Sequence, residues 1–135
     1  MSCFSVEVEL INYSDELFQQ LEPEHQVRSA RVRGPVDSGA SMPIIPEQVA
    51  DELGLPDSGQ TAEVTLADGS VIERKIVTAL KLGWQDRWGL FDAVVEPGRQ
   101  DILIGAIVLE RLDLLVDCRR EQLIPRKPGV LTFTA

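Results

Sequence analysis

The sequence predicts a mainly-β single domain that curls into a partly closed barrel, with one or two short helices. Apolar residues alternate with polar ones at a period of two in several short runs. Turn pairs such as Asp68-Gly69 and Pro97-Gly98 fall between those runs. Only brief stretches fit a helical period, and 135 residues suit one domain.

The elements follow in order. Phe4, Val6, Val8 and Leu10 alternate with Ser5, Glu7 and Glu9, which predicts a half-buried strand. Residues 14–22 fit a helical turn capped by Ser14 or, equally, a polar loop. Val27, Ala30 and Val32 predict a strand running toward Asp37. Ile45 to Gly54 predicts a short helix, with Pro46 in its first position and Gly54 as its stop. Val64 and Leu66, then Asp68-Gly69, then Val71 predict a hairpin. Val77 to Leu82 and Leu90 to Val95 predict strands joined by a turn over 83–86. Ile102 to Ile104 is a short buried run, and Ala106 to Leu112 suits a short helix. Leu114 to Val116 and Gln122 to Ile124 predict a last hairpin before Pro125 and Pro128 break the pattern.

Composition narrows the function. Apolar residues make up 44% and charged residues 26%, enough for a core and a soluble surface. No apolar run approaches a membrane span, so no membrane partner is expected. The formal charge of −9 repels phosphate backbones, which argues against nucleic acid. Met1-Ser2-Cys3-Phe4 lacks a basic segment followed by an apolar run, so no signal peptide and a cytoplasmic location are expected. Cys3 and Cys118 are then expected as free thiols, with an intermolecular disulfide as the lesser alternative. Two Cys and one His give no zinc pattern, so neither metal nor cofactor is expected.

The informative segment is Val36-Asp37-Ser38-Gly39-Ala40-Ser41. An acid ends a strand and is followed by a hydroxyl residue, a glycine that permits a tight turn, and an alanine. A carboxylate so held stands at a fixed place, as general acid–base chemistry requires. The tripeptide alone is usually a plain turn. Asp57-Ser58-Gly59 serves as an internal control: it follows Pro56, has no apolar strand before it, and is expected to be only a β-turn.

The first copy with its surroundings resembles the active-site region of retropepsin-like aspartic peptidases, most nearly their bacterial single-domain members. Ile44-Ile45-Pro46 and Leu53-Gly54-Leu55 follow it as that family's apolar pair and leucine segment do. Leu103-Ile104-Gly105 matches the family's second signature, with Ile107, Val108 and Leu109 as the helix after it. Asp68-Gly69-Ser70 falls between the two signatures, where the family places its substrate-covering flap. The resemblance spans about residues 27 to 126.

It implies an aspartic endopeptidase with Asp37 as the catalytic acid and Ser38, Gly39 and Ala40 as the active-site loop. Ser38 would brace the loop, and the Gly39 carbonyl would accept a hydrogen bond from substrate. Such chemistry needs two carboxylates sharing a proton, so a homodimer is implied, with a peptide or protein substrate.

The chain departs from the viral pattern in three places. Ser41 and Ala106 replace an acid and an arginine that pair in viral members; losing both strands no charge. Pro35 removes a ladder donor just before the motif. The hairpin tip is short and acidic. Pro35 and the short tip motivate an alternative: a dimeric peptide-binding or scaffold module of the same fold with little or no turnover.

Other residues have plainer readings. Asp92, Asp101, Asp113 and Asp117 lack a following hydroxyl and glycine and are expected as caps or surface acids. His25 is expected to be solvated, and Arg119-Arg120 to be an exposed turn. Trp84 and Trp88 are expected in packing or a dimer contact.

Overall fold

A computed structural model describes residues 2–134. Strand β1 (Ser2–Asn12) runs into helix α1 (Tyr13–Leu21), and β2 (Ser29–Asp37) returns antiparallel to it. Next come β3 (Ile44–Pro46), α2 (Glu47–Leu53), β4 (Asp57–Thr65), β5 (Val71–Trp84) and β6 (Arg87–Glu96). Helix α3 (Ala106–Arg111) and the strands β7 (Leu114–Asp117) and β8 (Gln122–Pro125) complete the order. The main sheet runs β2-β1-β5-β6-β3, with β4 paired to β5 alone, and β7-β8 form a separate two-stranded sheet. The architecture is mainly β, with three short helices where one or two were expected.

The period-two pattern does what it should. Val8 and Leu10 of β1, Val36 of β2, and Leu80 and Leu82 of β5 are all buried in one core with Phe91 of β6. Ile102 and Ile104 join it from the loop before α3. Among the described residues, no helix is long and apolar enough to cross a membrane.

The undecided segment 14–22 is helical, and its cap is Asn12 rather than Ser14. The Asn12 side-chain oxygen accepts the Asp15 N–H at 3.0 Å. Its amide also donates to the carbonyls of Leu53 and Gly54, at 2.7 and 3.3 Å. One buried side chain thus caps α1 and fastens the end of α2. Asp15 is buried beside it and accepts from the Arg28 side chain at 2.8 and 3.1 Å, and from its backbone N–H at 3.0 Å. His25 Nε2 lies 2.9 Å from the same carboxylate, and the His25 ring packs edge-on against Phe18. His25 is therefore half-buried in a polar cluster, not simply solvated.

Helix α2 starts later than its pattern suggested. Ile44–Pro46 pair in parallel with Val94–Glu96 of β6, so Pro46 is an extended cap and not the first helical residue. Gly54 ends the helix in the left-handed region (φ +61°), as expected of a glycine stop. A side chain at that position would run into the Arg28 guanidinium.

Asp57-Ser58-Gly59 is also more than a connecting turn. Asp57 pairs with Val77, and the register slips before Thr61, so the tripeptide is an irregular start to β4. The segments around Val71 and Val77–Leu82 are one continuous strand, bent where Ala79 takes φ +60°.

The cysteines depart most from expectation. Cys3 and Cys118 form a disulfide within one chain, with Cα atoms 5.5 Å apart and 115 residues between them in sequence. The start of β1 and the β7–β8 turn meet in space, a closeness that no local pattern reveals.

The far end of the chain is held by two buried groups. Arg87 donates to the carbonyls of Leu112 and Asp113, and to those of Lys127 and Val130 beyond β8. Asp113 accepts from Arg126 Nε at 3.0 Å and from the Thr132 N–H at 2.9 Å. Asp113 is thus structural, as its setting implied. Trp84 packs against the core, and Trp88 covers Gly83 beneath the Lys81 ammonium.

Candidate active site

Asp37 is the last residue of β2, and its position is fixed from both sides. Val36, just before it, is buried and bridges in parallel to Ile104. The Ile104 N–H donates to the Pro35 carbonyl at 3.0 Å, and the Asp37 N–H donates to the Ile104 carbonyl at 2.9 Å. Pro35 therefore keeps its acceptor role toward Ile104. The ladder with β1 bulges at this point: Ser5 pairs with Pro35, but Ser2 pairs with Asp37.

Beyond Asp37 the chain turns sharply. The Gly39 N–H donates to Asp37 Oδ1 at 2.9 Å, and the Ala40 N–H to the Asp37 carbonyl at 3.2 Å. The loop carbonyls are then taken by the start of α3. Ala106 donates its N–H to Ala40 at 2.7 Å, and Ile107 to Ser41 at 3.0 Å. Gly105 makes this approach possible, since a Cβ there would lie 2.6 Å from the Ser41 carbonyl oxygen. The second signature, Leu103-Ile104-Gly105, thus grips both the strand and the loop of the first. Leu103 completes the grip by exchanging backbone hydrogen bonds with Ile44.

The Asp37 carboxyl is half-buried and lies below the ordinary carboxylate range. The Gly39 amide helps to lower it, and burial opposes. Ser38 and Gly39 are exposed. Ser38 lines a groove of about 940 Å³ that continues past Ile107 and Leu115 to Phe133.

The control tripeptide shares the local geometry but not the setting. The Gly59 N–H donates to Asp57 Oδ1 at 2.8 Å, nearly as in the first copy. Ser58, however, donates its hydroxyl to the Ile76 carbonyl of β5, and no second signature clasps the turn. The Asp-x-Gly turn is common to both copies; the clasp by Leu103–Gly105 is not.

The hairpin tip is closed on itself. The Leu66 N–H donates to the Ser70 carbonyl at 2.8 Å, and Gly69 sits at φ +85°. Asp68 Oδ1 accepts from the Ser70 N–H at 2.9 Å and from its hydroxyl at 2.6 Å. Those bonds hold the Asp68 carboxyl below its ordinary range, the hydroxyl most of all. Leu66 and Val71 flank the tip as exposed apolar residues. Lower down, Arg74 grips Glu96 through two bonds of 2.7 and 3.0 Å and ties β5 to the end of β6.

The comparisons agree with this geometry. Residues 24–111 match the family described as "gag-polyprotein putative aspartyl protease". The chain belongs to this family. The matched stretch of this aspartyl protease relative contains Asp37, the hairpin tip and the Leu103–Gly105 clasp. It leaves out β1, α1 and the β7–β8 hairpin. The fold is similar to the crystal structure of the retroviral protease-like domain of Ddi1 from Leishmania major. That likeness has a TM-score of 0.58 and 19% identity, over 97% of this chain and 95% of that one. No curated protein sequence matches the chain. The retropepsin-like family and fold expected from the two signatures are therefore established.

The remaining acids play the supporting parts expected of them. Asp101 pairs with Arg99 at 3.0 Å, Asp117 accepts the Arg120 N–H at 3.1 Å, and Asp92 is an exposed residue of β6. Among the described residues, no group of His, Cys, Asp and Glu could hold a metal ion. No residue pattern foretold that the Ala106 and Ile107 amides hold the loop after Asp37, because main-chain donors carry no residue signature.

Proposed function

We propose that the protein is an aspartic endopeptidase whose active site forms between two copies of the chain, each supplying Asp37. The observation that carries this reading is the clasp: of the two Asp-Ser-Gly copies, only Asp37 is held by both signatures and presented on an exposed loop. One such acid per chain calls for a second chain, related by a two-fold axis.

The chemistry then follows from two like charges brought close. Both carboxyls cannot ionise easily, so the pair gives up its protons in two separated steps and shares one between them. The ionised partner takes a proton from a bound water, which attacks the peptide carbonyl carbon. The protonated partner gives its proton to the carbonyl oxygen, and the tetrahedral intermediate then breaks its C–N bond as the amine is protonated. The substrate lies extended beneath the β4–β5 hairpin tips, pairing with their backbone. Exposed Leu66 and Val71 suit apolar side chains on that peptide.

A second reading keeps the dimer and peptide groove without turnover. The short tip, whose Asp68 is satisfied internally, favours it over a long mobile flap. Incubating the purified protein with a peptide library at mildly acidic pH separates the two. Cleavage that disappears with Asp37→Asn supports the enzyme; binding with no cleavage by the unmodified chain supports the module.

A further inference from the structure

We propose that Cys3 and Cys118 form a reversible thiol–disulfide switch that sets the order of the Asp37 loop. It rests on the peptidase reading for its effect on turnover: the site works with the bond closed and fails with it open.

The bond sits where β1 is least secured to the catalytic strand. Between the pairs Ser2–Asp37 and Ser5–Pro35, Cys3 and Phe4 face only Val36. That bulge costs the ladder its regular bonds beside the reacting carboxylate. The disulfide makes up for the loss by carrying Cys3 across to Cys118, in the turn between β7 and β8. β7 and β8 pair only with each other, so the main sheet's ladder does not reach that turn.

The connection closes a ring around the site. From Asp37 it runs through Ser2 to Cys3, across the disulfide to Cys118, and back along β7 to α3. The first amides of α3 hold the carbonyls of Ala40 and Ser41, which returns the ring to the loop itself. Breaking the one covalent cross-link frees the start of β1 from Asp37 on one side. It also slackens the hairpin behind α3 on the other.

The bond is placed to be opened. Cys118 is exposed and Cys3 half-buried, unlike an inert disulfide sealed in a core. Arg119 and Arg120 follow Cys118 and are exposed; Asp117 lies 3.9 Å from Arg120 Nε, so Arg119 is the cation that chiefly favours a thiolate nearby. A dithiol reductant supplies the chemistry. Its thiolate attacks the Cys118 sulfur, the S–S bond breaks, and Cys3 leaves as a thiolate that takes up a proton. The reductant's second thiol, losing its proton, then displaces Cys118 from the mixed disulfide. The chain gains two electrons and two protons, and the reductant leaves as a disulfide.

The test uses the full-length protein in oxidised and reduced dithiothreitol. Bond state is read by alkylation and intact mass. Turnover of a peptide substrate and amide hydrogen exchange over residues 2–5 and 35–41 are the two outputs. Reduction should speed exchange in both segments and lower kcat about ten- to a hundredfold, since small misplacements of reacting groups cost that much. Reoxidation should restore both. Cys3→Ser combined with Cys118→Ser should sit at the reduced level and ignore the buffer. Two alkylated thiols with exchange unchanged over 35–41 overturns the switch, as does a bond that resists the reductant in the folded protein. If neither form cleaves any peptide while reduction still speeds that exchange, the peptidase reading fails and the switch stands.

Discussion

The backbone N–H of Ala106 donates to the Ala40 carbonyl at 2.7 Å, so the start of α3 holds the loop that presents Asp37. The approach depends on Gly105 having no side chain. Gly105→Ala must push the Ser41 and Ala40 carbonyls away, an overpacking cost of about 1–3 kcal/mol. The expected outcome is a folded but less stable protein whose kcat falls more than its KM changes. Urea unfolding and steady-state kinetics check both parts. Unchanged kinetics would show that the clasp does not position the loop.

The two tripeptides allow a sharper comparison. Asp37 and Asp57 accept the same kind of turn hydrogen bond, at 2.9 and 2.8 Å. Asp37→Asn and Asp57→Asn should therefore perturb local structure similarly. Only the first should remove activity, by about a hundredfold or more. The reverse pattern in a peptide-cleavage assay would transfer the chemistry to the wrong copy.

Shared active sites respond to concentration. Specific activity should fall on dilution as dimers separate. Exchange with excess Asp37→Asn chains should silence unmodified chains by trapping them in mixed dimers. Full activity per unmodified chain under those conditions would place a complete site on one chain.

Acid should test the cluster behind α1. Arg28 holds the Asp15 carboxyl far below its ordinary 3.8, with burial opposing and His25 adding a smaller pull. Thr132, chiefly, lowers Asp113 in the same direction. A depressed folded pKa contributes stability above the unfolded value, and that stability is lost as pH falls through the folded one. Unfolding free energy should therefore decline from about pH 4 downward. Asp15→Asn should cost about 1–3 kcal/mol at neutral pH, the half-exposed Arg28 keeping the loss modest. It should also flatten the decline. Urea titrations at several pH values decide it, and an unaltered slope removes Asp15 as its source.

At the hairpin tip, Asp68 accepts two bonds from Ser70. Asp68→Asn keeps an acceptor oxygen and should leave the substrate profile unchanged, even at low salt. Asp68→Ala should loosen the tip and raise KM. A shift toward acidic peptides with the Asn variant would instead reveal a charge effect on substrate choice.

The sequence made legible what depends on neighbours in the chain. Alternation at Phe4–Leu10, the Asp68-Gly69 turn and the Gly54 stop are local consequences of side-chain chemistry, and each stands where its pattern put it. The family was legible because two separate signatures had to agree. Long-range partners were not. Asn12, a favoured cap residue two positions before Ser14, makes the local cap, but its bond to the Leu53 carbonyl, some forty residues on, has no local signal. Pro46 is extended because β6 lies beside it. The free thiols expected of Cys3 and Cys118 failed likewise, since their pairing spans 115 residues, while the solvated setting expected of His25 failed because α1 folds Asp15 and Phe18 back against it. The free-thiol expectation had itself leaned on a cytoplasmic location, and the disulfide overturns the thiols.

The sheet order gives β1 a role beyond its sequence neighbourhood. β1 lies between β2 and β5, so its two ladders tie the strand carrying Asp37 to the middle of the main sheet, while Leu103 and Ile104 bridge β2 to β3 on its other side. Yet β1 stands outside residues 24–111, the portion shared with the family. The matched segment thus lacks the strand that pairs along β2. Cut at its borders, it would keep both signatures while leaving β2 with a bare edge and Arg87 without its acceptors at Lys127 and Val130. A version trimmed to the stretch that identifies the family would lose backbone partners at both of its borders.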